Sequence, residues 1–76
     1  MSKIPLTDMD AGMRGKVVEL QGGHGLCARL NAMGIRPGAR ITKISGQIMR
    51  GPIIVRIGAT QIALGFGMAS RVLVEV

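Results

Sequence analysis

The segment 30–38 constrains the fold more than any other part of this chain, because it has the pattern of a helix end followed by a turn into a strand. The apolar residues that lead into it recur at i, i+4 and i+7, as on one face of a helix: Leu26, Leu30 and Met33. Gly34 is suited to the left-handed conformation that ends helices, and Pro37 lacks the N–H needed to continue one. Pro37 and Gly38 then favour a turn. The sequence therefore predicts a short amphipathic helix that stops at Gly34.

Alternating apolar residues predict strands on both sides of this helix. The predicted strands cover residues 14–21, 39–45, 53–57, 61–64 and 71–76. In the first of them Val18 and Leu20 share a face, and Val17 lies opposite. Residues 8–11 and 66–70 are predicted as single helical turns. About five short strands in so small a chain must curl to bury one face, so we expect a mainly β fold, a small, partly open barrel with one short α-helix.

Length and composition indicate one domain, residues 1–76, with a small core. No apolar run approaches the ~18 residues of a membrane span, and residues 1–6 lack the apolar core of a signal peptide. The single cysteine, Cys27, has no partner for an internal disulfide. These features predict a cytoplasmic protein.

The chain is basic, with ten Lys or Arg against four Asp or Glu and a formal net charge of +6. Such an excess attracts phosphates, anionic lipid headgroups or acidic protein surfaces. The cations are scattered along the sequence without a run of like charge, so we expect a solvated surface rather than a dedicated basic patch.

The residues offer little to a catalytic mechanism, because the chain has one His, no Tyr and four isolated acids. We predict that it is not an enzyme and holds no cofactor. His24 and Cys27 are three residues apart at the predicted helix start, a spacing that would suit two ligands of one metal ion. Two ligands do not make a metal site, so a core thiol and a solvent-facing imidazole are favoured instead.

Motifs along the whole chain resemble one family, the FeoA family of ferrous iron transport protein A. In the first half these are Pro5-Leu6-Thr7-Asp8-Met9 with Gly12, Val17, and Arg29-Leu30-Asn31-Ala32-Met33-Gly34-Ile35 before Arg36-Pro37-Gly38. In the second half they are Gly51-Pro52-Ile53, Ile62-Ala63-Leu64, and Ala69 before Val72-Leu73-Val74. The resemblance covers residues 4–76 and implies an SH3-like β-barrel. The segment Gly65-Phe66-Gly67-Met68 departs from the family, which is rich in charge there.

The resemblance also implies a function, that of a cytosolic accessory of the large membrane protein that imports ferrous iron. The expected partner is that transporter's cytosolic portion, which carries a GTPase domain. Candidate contacts are apolar and basic residues outside the predicted strands: Met33, Ile35, Arg36, Met49, Arg50, Phe66 and Met68.

Two alternatives stay open at the level of sequence. One is a stand-alone regulatory SH3-like domain, like the domain that ends metal-dependent repressors. The other is a weak electrostatic binder of nucleic acid, without sequence specificity because Phe66 is the only aromatic residue available for stacking.

Overall fold

The computed structural model describes residues 2–45 and 51–76. Its strands are β1 (Lys3–Pro5), β2 (Arg14–Leu20), β3 (Arg40–Ser45), β4 (Ile53–Ile57), β5 (Thr60–Leu64) and β6 (Val72–Glu75). Its helices are α1 (His24–Ala32) and α2 (Phe66–Ala69), with a 3₁₀ turn over Leu6–Asp8. The described strands form one antiparallel sheet in the order β1-β6-β2-β3-β4-β5. The predicted mainly β architecture is confirmed.

The predicted end of the helix is confirmed in detail. Gly34 has φ +88°, in the left-handed region where a Cβ is strained. The next N–H, that of Ile35, donates to the Leu30 carbonyl at 2.9 Å and so turns the chain back beneath the helix. Gly38 donates to the Val17 carbonyl at 2.7 Å, which ties the following turn to β2.

The N-terminal segment differs from its prediction in two ways. Strand β1 was not predicted, and it pairs with β6 at the far end of the chain, Lys3 opposite Glu75. The predicted helical turn over residues 8–11 is wrong, because the single turn lies earlier, over Leu6–Asp8. Leu6 and Met9 are both buried in the core, and the extended backbone of Met9 ends the turn there.

Strand β2 contributes the buried Val17 to the core, and Leu20, which was predicted on the opposite face, also packs against the core. Val17 is fully buried, whereas Val18 and Leu20 are half-buried. The register with β6 shifts between Val17 and Glu19, as in a β-bulge, which interrupts the simple alternation.

The core lies inside the curved sheet and is closed by the helices and the 3₁₀ turn. Its buried apolar residues are Leu6, Met9, Val17, Leu30, Ile35, Ile41, Ile53, Val55, Leu64, Ala69, Val72 and Val74. Burying one large aliphatic side chain contributes about 1.5–3 kcal/mol, so Leu30, the fully buried residue of α1, holds the helix against the sheet. Neither described helix is long and apolar enough to cross a membrane.

Candidate partner-binding surfaces

The predicted contact residues fall into separate groups in the structure. There are two groups, one on α2 and one after α1. Ile35 belongs to neither of them, because it is fully buried in the core cluster and presents no surface to a partner. Its prediction as a contact rested on its place after a helix end, but the hydrogen bond to Leu30 folds it inward. Met49 and Arg50 lie outside the described residues.

The first group is on α2, a single helical turn between β5 and β6. Phe66 and Met68 are each partly buried, and Ala69 is fully buried and anchors the turn to the core. Gly65 and Gly67 are exposed, and a Cβ added at either would meet nothing within 4 Å. The α2 surface (65–68) therefore combines partly exposed apolar side chains with open glycine backbone, which lets a partner approach closely.

Hydrogen bonds fix the shape of the α2 surface. The Ala69 N–H donates to the Gly65 carbonyl at 2.9 Å, and the Ser70 N–H donates to the Phe66 carbonyl at 3.0 Å. The Ser70 hydroxyl donates to the Gly67 carbonyl at 2.7 Å. The turn is thus held by its own backbone and by one side chain, so the backbone that carries Phe66 and Met68 is ordered.

The second group, Met33 and Arg36, follows α1. Met33 is partly buried against the core, and Arg36 is exposed. A Cβ at Gly34 would lie 3.9 Å from Ile57 Cγ2, so this group lies near the last residue of β4. The α2 surface instead follows Leu64, which pairs with Ile53 at the start of β4. Four residue steps of a strand span about 13 Å, so the two groups do not form one patch.

Within the described part of the chain, the possible metal pair of His24 and Cys27 gains no further ligand. His24 is exposed at the first position of α1, and Cys27 is partly buried with its Sγ 3.8 Å from the Gly22 carbonyl oxygen. Among residues 2–45 and 51–76, no three His, Cys, Asp or Glu side chains are grouped to hold a metal ion.

The structure gathers cations that are scattered in the sequence. Residues that lie directly opposite on antiparallel strands share a face, and the outer face of β2, β3 and β4 carries two such rows. In one row Arg14 lies opposite Thr42, which lies opposite Arg56. In the other, Lys16 lies between Arg40 and Glu75. Together with Thr42, the four cations line a groove of about 570 Å³.

On this face the cations are grouped by the strand register, although each of them stays exposed to solvent as expected. A signal existed in the sequence, since Arg14 and Lys16, and Arg40 and Thr42, alternate with inward residues at the period of a strand. The register between β2 and β3, which α1 separates in sequence, was needed to bring the two pairs together.

A fifth cation, Lys43, is buried at the inner face, a position that was also not predicted. Its side chain is 2% exposed, and its Nζ donates to the Met9 carbonyl and, at 3.4 Å, to the Thr7 carbonyl. Burial lowers the pKa of Lys43, and the nearby charges of Asp10 and Asp8 oppose that shift. Lys43 thus links β3 to the segment that closes one end of the core.

Comparison with known protein families places this fold in context. The sequence model of the family described as the FeoA domain matches residues 4–76. A protein of Methanocaldococcus jannaschii assigned by name as Fe(2+) transport protein A is 34% identical over 71 residues, which cover 93% of this chain and 84% of that protein. A crystal structure of FeoA described as an iron uptake regulatory protein has a TM-score of 0.90 at 40% identity and covers 96% of both chains.

Two further solved structures bear on the fold. FeoA of Stenotrophomonas maltophilia, crystallised with zinc and described as a prokaryotic SH3 domain protein, has a TM-score of 0.82 at 25% identity, covering 95% of this chain and 89% of that one. A manganese-dependent transcriptional repressor has a TM-score of 0.87 at 20% identity, covering 95% of this chain and 40% of that one. The second likeness shows a shared fold alone. The predicted SH3-like barrel is confirmed.

Proposed function

Because the chain belongs to the FeoA family, we propose that it is a cytoplasmic accessory protein of ferrous iron uptake that binds the GTPase-bearing cytosolic part of the iron transporter and modulates transport. The observation that carries the proposal is the match of the FeoA domain to residues 4–76, together with relatives named for Fe(2+) transport and iron uptake. The relatives match over most of their own length, so the function is carried over from proteins of similar size.

The α2 surface is the contact that the geometry supports best. Apolar side chains that pack into a partner provide most of the energy of typical protein interfaces, and charged groups at the rim provide less. Phe66 and Met68 are partly exposed on a turn that is already ordered, so binding costs little conformational entropy. Met49 and Arg50 precede β4 in the sequence and remain predicted contacts. Met33 and Arg36 lie near the last residue of β4, so they would contact the partner only if the interface extends from the α2 surface to that end of the strand.

Two glycine substitutions test this contact with matched chemistry. Gly67→Glu adds a carboxylate to the α2 surface, and Gly25→Glu adds the same group to α1. Both glycines are exposed, and a Cβ at either meets nothing within 4 Å, so neither change disturbs the core. Replacing a helical glycine is mildly favourable to folding, and each variant lowers the net charge by one.

The measurement is a binding titration of the purified chain against the cytosolic portion of the ferrous iron transporter from the same cell, at about 50 mM and about 200 mM salt. We expect saturable binding that survives the higher salt, because apolar contacts are not screened. Gly67→Glu should weaken it at least about tenfold, which corresponds to ~1.4 kcal/mol, and Gly25→Glu less than about twofold. Binding that disappears at the higher salt, or equal losses in both variants, would contradict docking through the α2 surface.

A further inference from the structure

The cationic groove on the outer face of β2, β3 and β4 has a distinct centre, Thr42. Arg14 and Arg56 are its direct cross-strand partners on either side, and Arg40 precedes it by two residues on the same face. Three arginine residues are therefore the neighbours of Thr42 on this face, and all four residues line the groove. Neighbouring strands lie about 4.8 Å apart, so the set spans about 10 Å across the sheet.

None of the groove's four cations forms an ion pair within the described chain, although Glu75 lies opposite Lys16 on the neighbouring strand. Among residues 2–45 and 51–76, the side chains of Arg14, Lys16, Arg40 and Arg56 make no hydrogen bond or ion pair. Lys16 and Arg40 lie directly opposite each other, an arrangement of like charges that destabilises a sheet. The three arginines have no ion-pair partner within the described residues, so an external anion is a reasonable explanation for their grouping.

The acidic residues are distributed so that the arginine side of the groove stays positive. Glu19 is paired with Lys3 at 3.1 Å, and Asp8 and Asp10 act on the buried Lys43. Glu75 alone among the acids lines the groove, where it lies opposite Lys16 rather than the arginines. An anion would consequently be attracted to the side formed by Arg14, Arg40 and Arg56.

We propose that this groove binds a compact polyphosphate anion, with the three arginines holding phosphate oxygens and the Thr42 hydroxyl donating to one of them. Guanidinium groups match phosphate in planar, bidentate hydrogen bonds, and a convergent set suits several charges close together. The volume of about 570 Å³ lies within the range of small-ligand sites. The residues that line the groove include no aromatic side chain, so the phosphate chain is recognised and a nucleobase is not.

The groove is separate from the α2 surface, so this inference stands independently of the proposed function. Inorganic pyrophosphate, triphosphate and a nucleoside triphosphate are the probes, titrated into the purified chain by calorimetry at about 150 mM salt. We expect saturable binding of one anion per chain. Triphosphate and the nucleotide should bind within about threefold of each other, since both offer the same phosphate chain. Nucleotide binding more than about tenfold tighter than that of triphosphate would overturn recognition through phosphate alone.

Variants separate a built site from general attraction. Thr42→Val removes one hydroxyl at constant charge and shape, and we expect it to weaken pyrophosphate binding about tenfold, the effect of a hydrogen bond to a charged group. Arg56→Gln should weaken binding about tenfold or more. Glu75→Gln should strengthen it several-fold because it removes the one acidic side chain that lines the groove. Arg71→Gln, which changes the same charge on an exposed residue outside the groove lining, should alter binding less than about twofold.

Two results would overturn the proposal. Equal weakening by Arg56→Gln and Arg71→Gln would show attraction by net charge without a site. Unchanged binding in Thr42→Val and Glu75→Gln would show that the anion does not lie in this groove. The thermal melting temperature of each variant without ligand establishes that it is folded. Two-dimensional NMR of the same samples should place the largest pyrophosphate-induced shifts at Thr42 and its cross-strand neighbours.

Discussion

Lys43 and the three arginines around Thr42 are cations on three neighbouring strands of one sheet, yet they lie on opposite faces of it. On the inner face Lys43 is opposite Val55, and its ammonium donates to two backbone carbonyls. On the outer face Arg56, the next residue after Val55, makes no side-chain hydrogen bond within the described chain. The inner cation is fully used in holding the fold together, whereas the outer cations are available to a ligand.

This difference follows from how a charged side chain is solvated on each face of the sheet. A buried ammonium is tolerated only if it finds hydrogen-bond acceptors, and the Met9 and Thr7 carbonyls accept two hydrogen bonds from Lys43. An exposed guanidinium needs no internal partner because water solvates it, so its position is not dictated by folding. The grouped outer cations are therefore free of a structural role and suit the proposed anion site, whereas the inner cation has a structural role.

The largest effect expected from this comparison is the drop in the free energy of unfolding when Lys43 is replaced. Lys43→Ala removes a long buried side chain and leaves the Met9 and Thr7 carbonyls without their donor, so we expect it to lower the free energy of unfolding by about 2–4 kcal/mol. Lys43→Met keeps most of the packing and removes a buried charge, and it should cost roughly half as much. Urea denaturation of both variants and the parent measures this. Equal stability of Lys43→Ala and the parent would show that the inner cation is dispensable.

The second effect is a change in the free energy of unfolding with pH in the alkaline range. Burial lowers the pKa of Lys43 below its usual 10.5, so the unfolded chain binds more protons than the folded one between the two pKa values. The contribution of Lys43 to the free energy of unfolding should therefore rise with pH across that window. The measurement is the difference in urea midpoint between the parent and Lys43→Met from pH 7 to pH 10.5. A difference that stays constant, or shifts in favour of Lys43→Met, would contradict the burial of this ammonium.

The smallest expected effect is a gain in the free energy of unfolding when the repulsion between cations on the outer face is relieved. Arg40→Gln removes the like charge opposite Lys16 and should raise the free energy of unfolding by about 0.2–1 kcal/mol at low salt. The gain should shrink at about 1 M salt, where screening acts over ~3 Å. Arg71→Gln, at an exposed position outside the groove lining, is the control and should give no comparable gain. If Arg40→Gln destabilises the chain instead, the outer cations also stabilise the fold, and the contrast between the inner and outer cations is wrong.

Much of the fold could be predicted because its signals are local. The glycine stop at Gly34, the turn at Gly38 and the hairpin of β4 and β5 each depend on a few adjacent residues, and the structure confirms all three. Strand β1 could not be predicted, because three residues show no alternation and their partner strand is at the other end of the chain. Long-range pairing leaves little trace in a single short segment.

The candidate surfaces were predictable only in part. Phe66 and Met68 were predicted as contacts because apolar residues in a glycine-rich turn are recognisable locally, and both are partly exposed, whereas Ile35 was predicted as a loop residue and is buried beside a backbone hydrogen bond. The grouping around Thr42 needs the register of three strands, and Lys43 needs the closure of the N-terminal segment over the core. These positions depend on tertiary structure, which the alternation pattern of one strand does not specify.

The most direct test of the proposed function is ferrous iron uptake in cells that lack the gene for this chain and express the parent, Gly67→Glu or Gly25→Glu at equal protein levels. We predict that the parent and Gly25→Glu change the initial rate of radiolabelled Fe²⁺ uptake to the same extent, and that Gly67→Glu leaves it close to the rate of cells without the chain. An uptake rate that is the same with and without the parent would contradict a role in iron uptake. Full function of Gly67→Glu would contradict docking through the α2 surface.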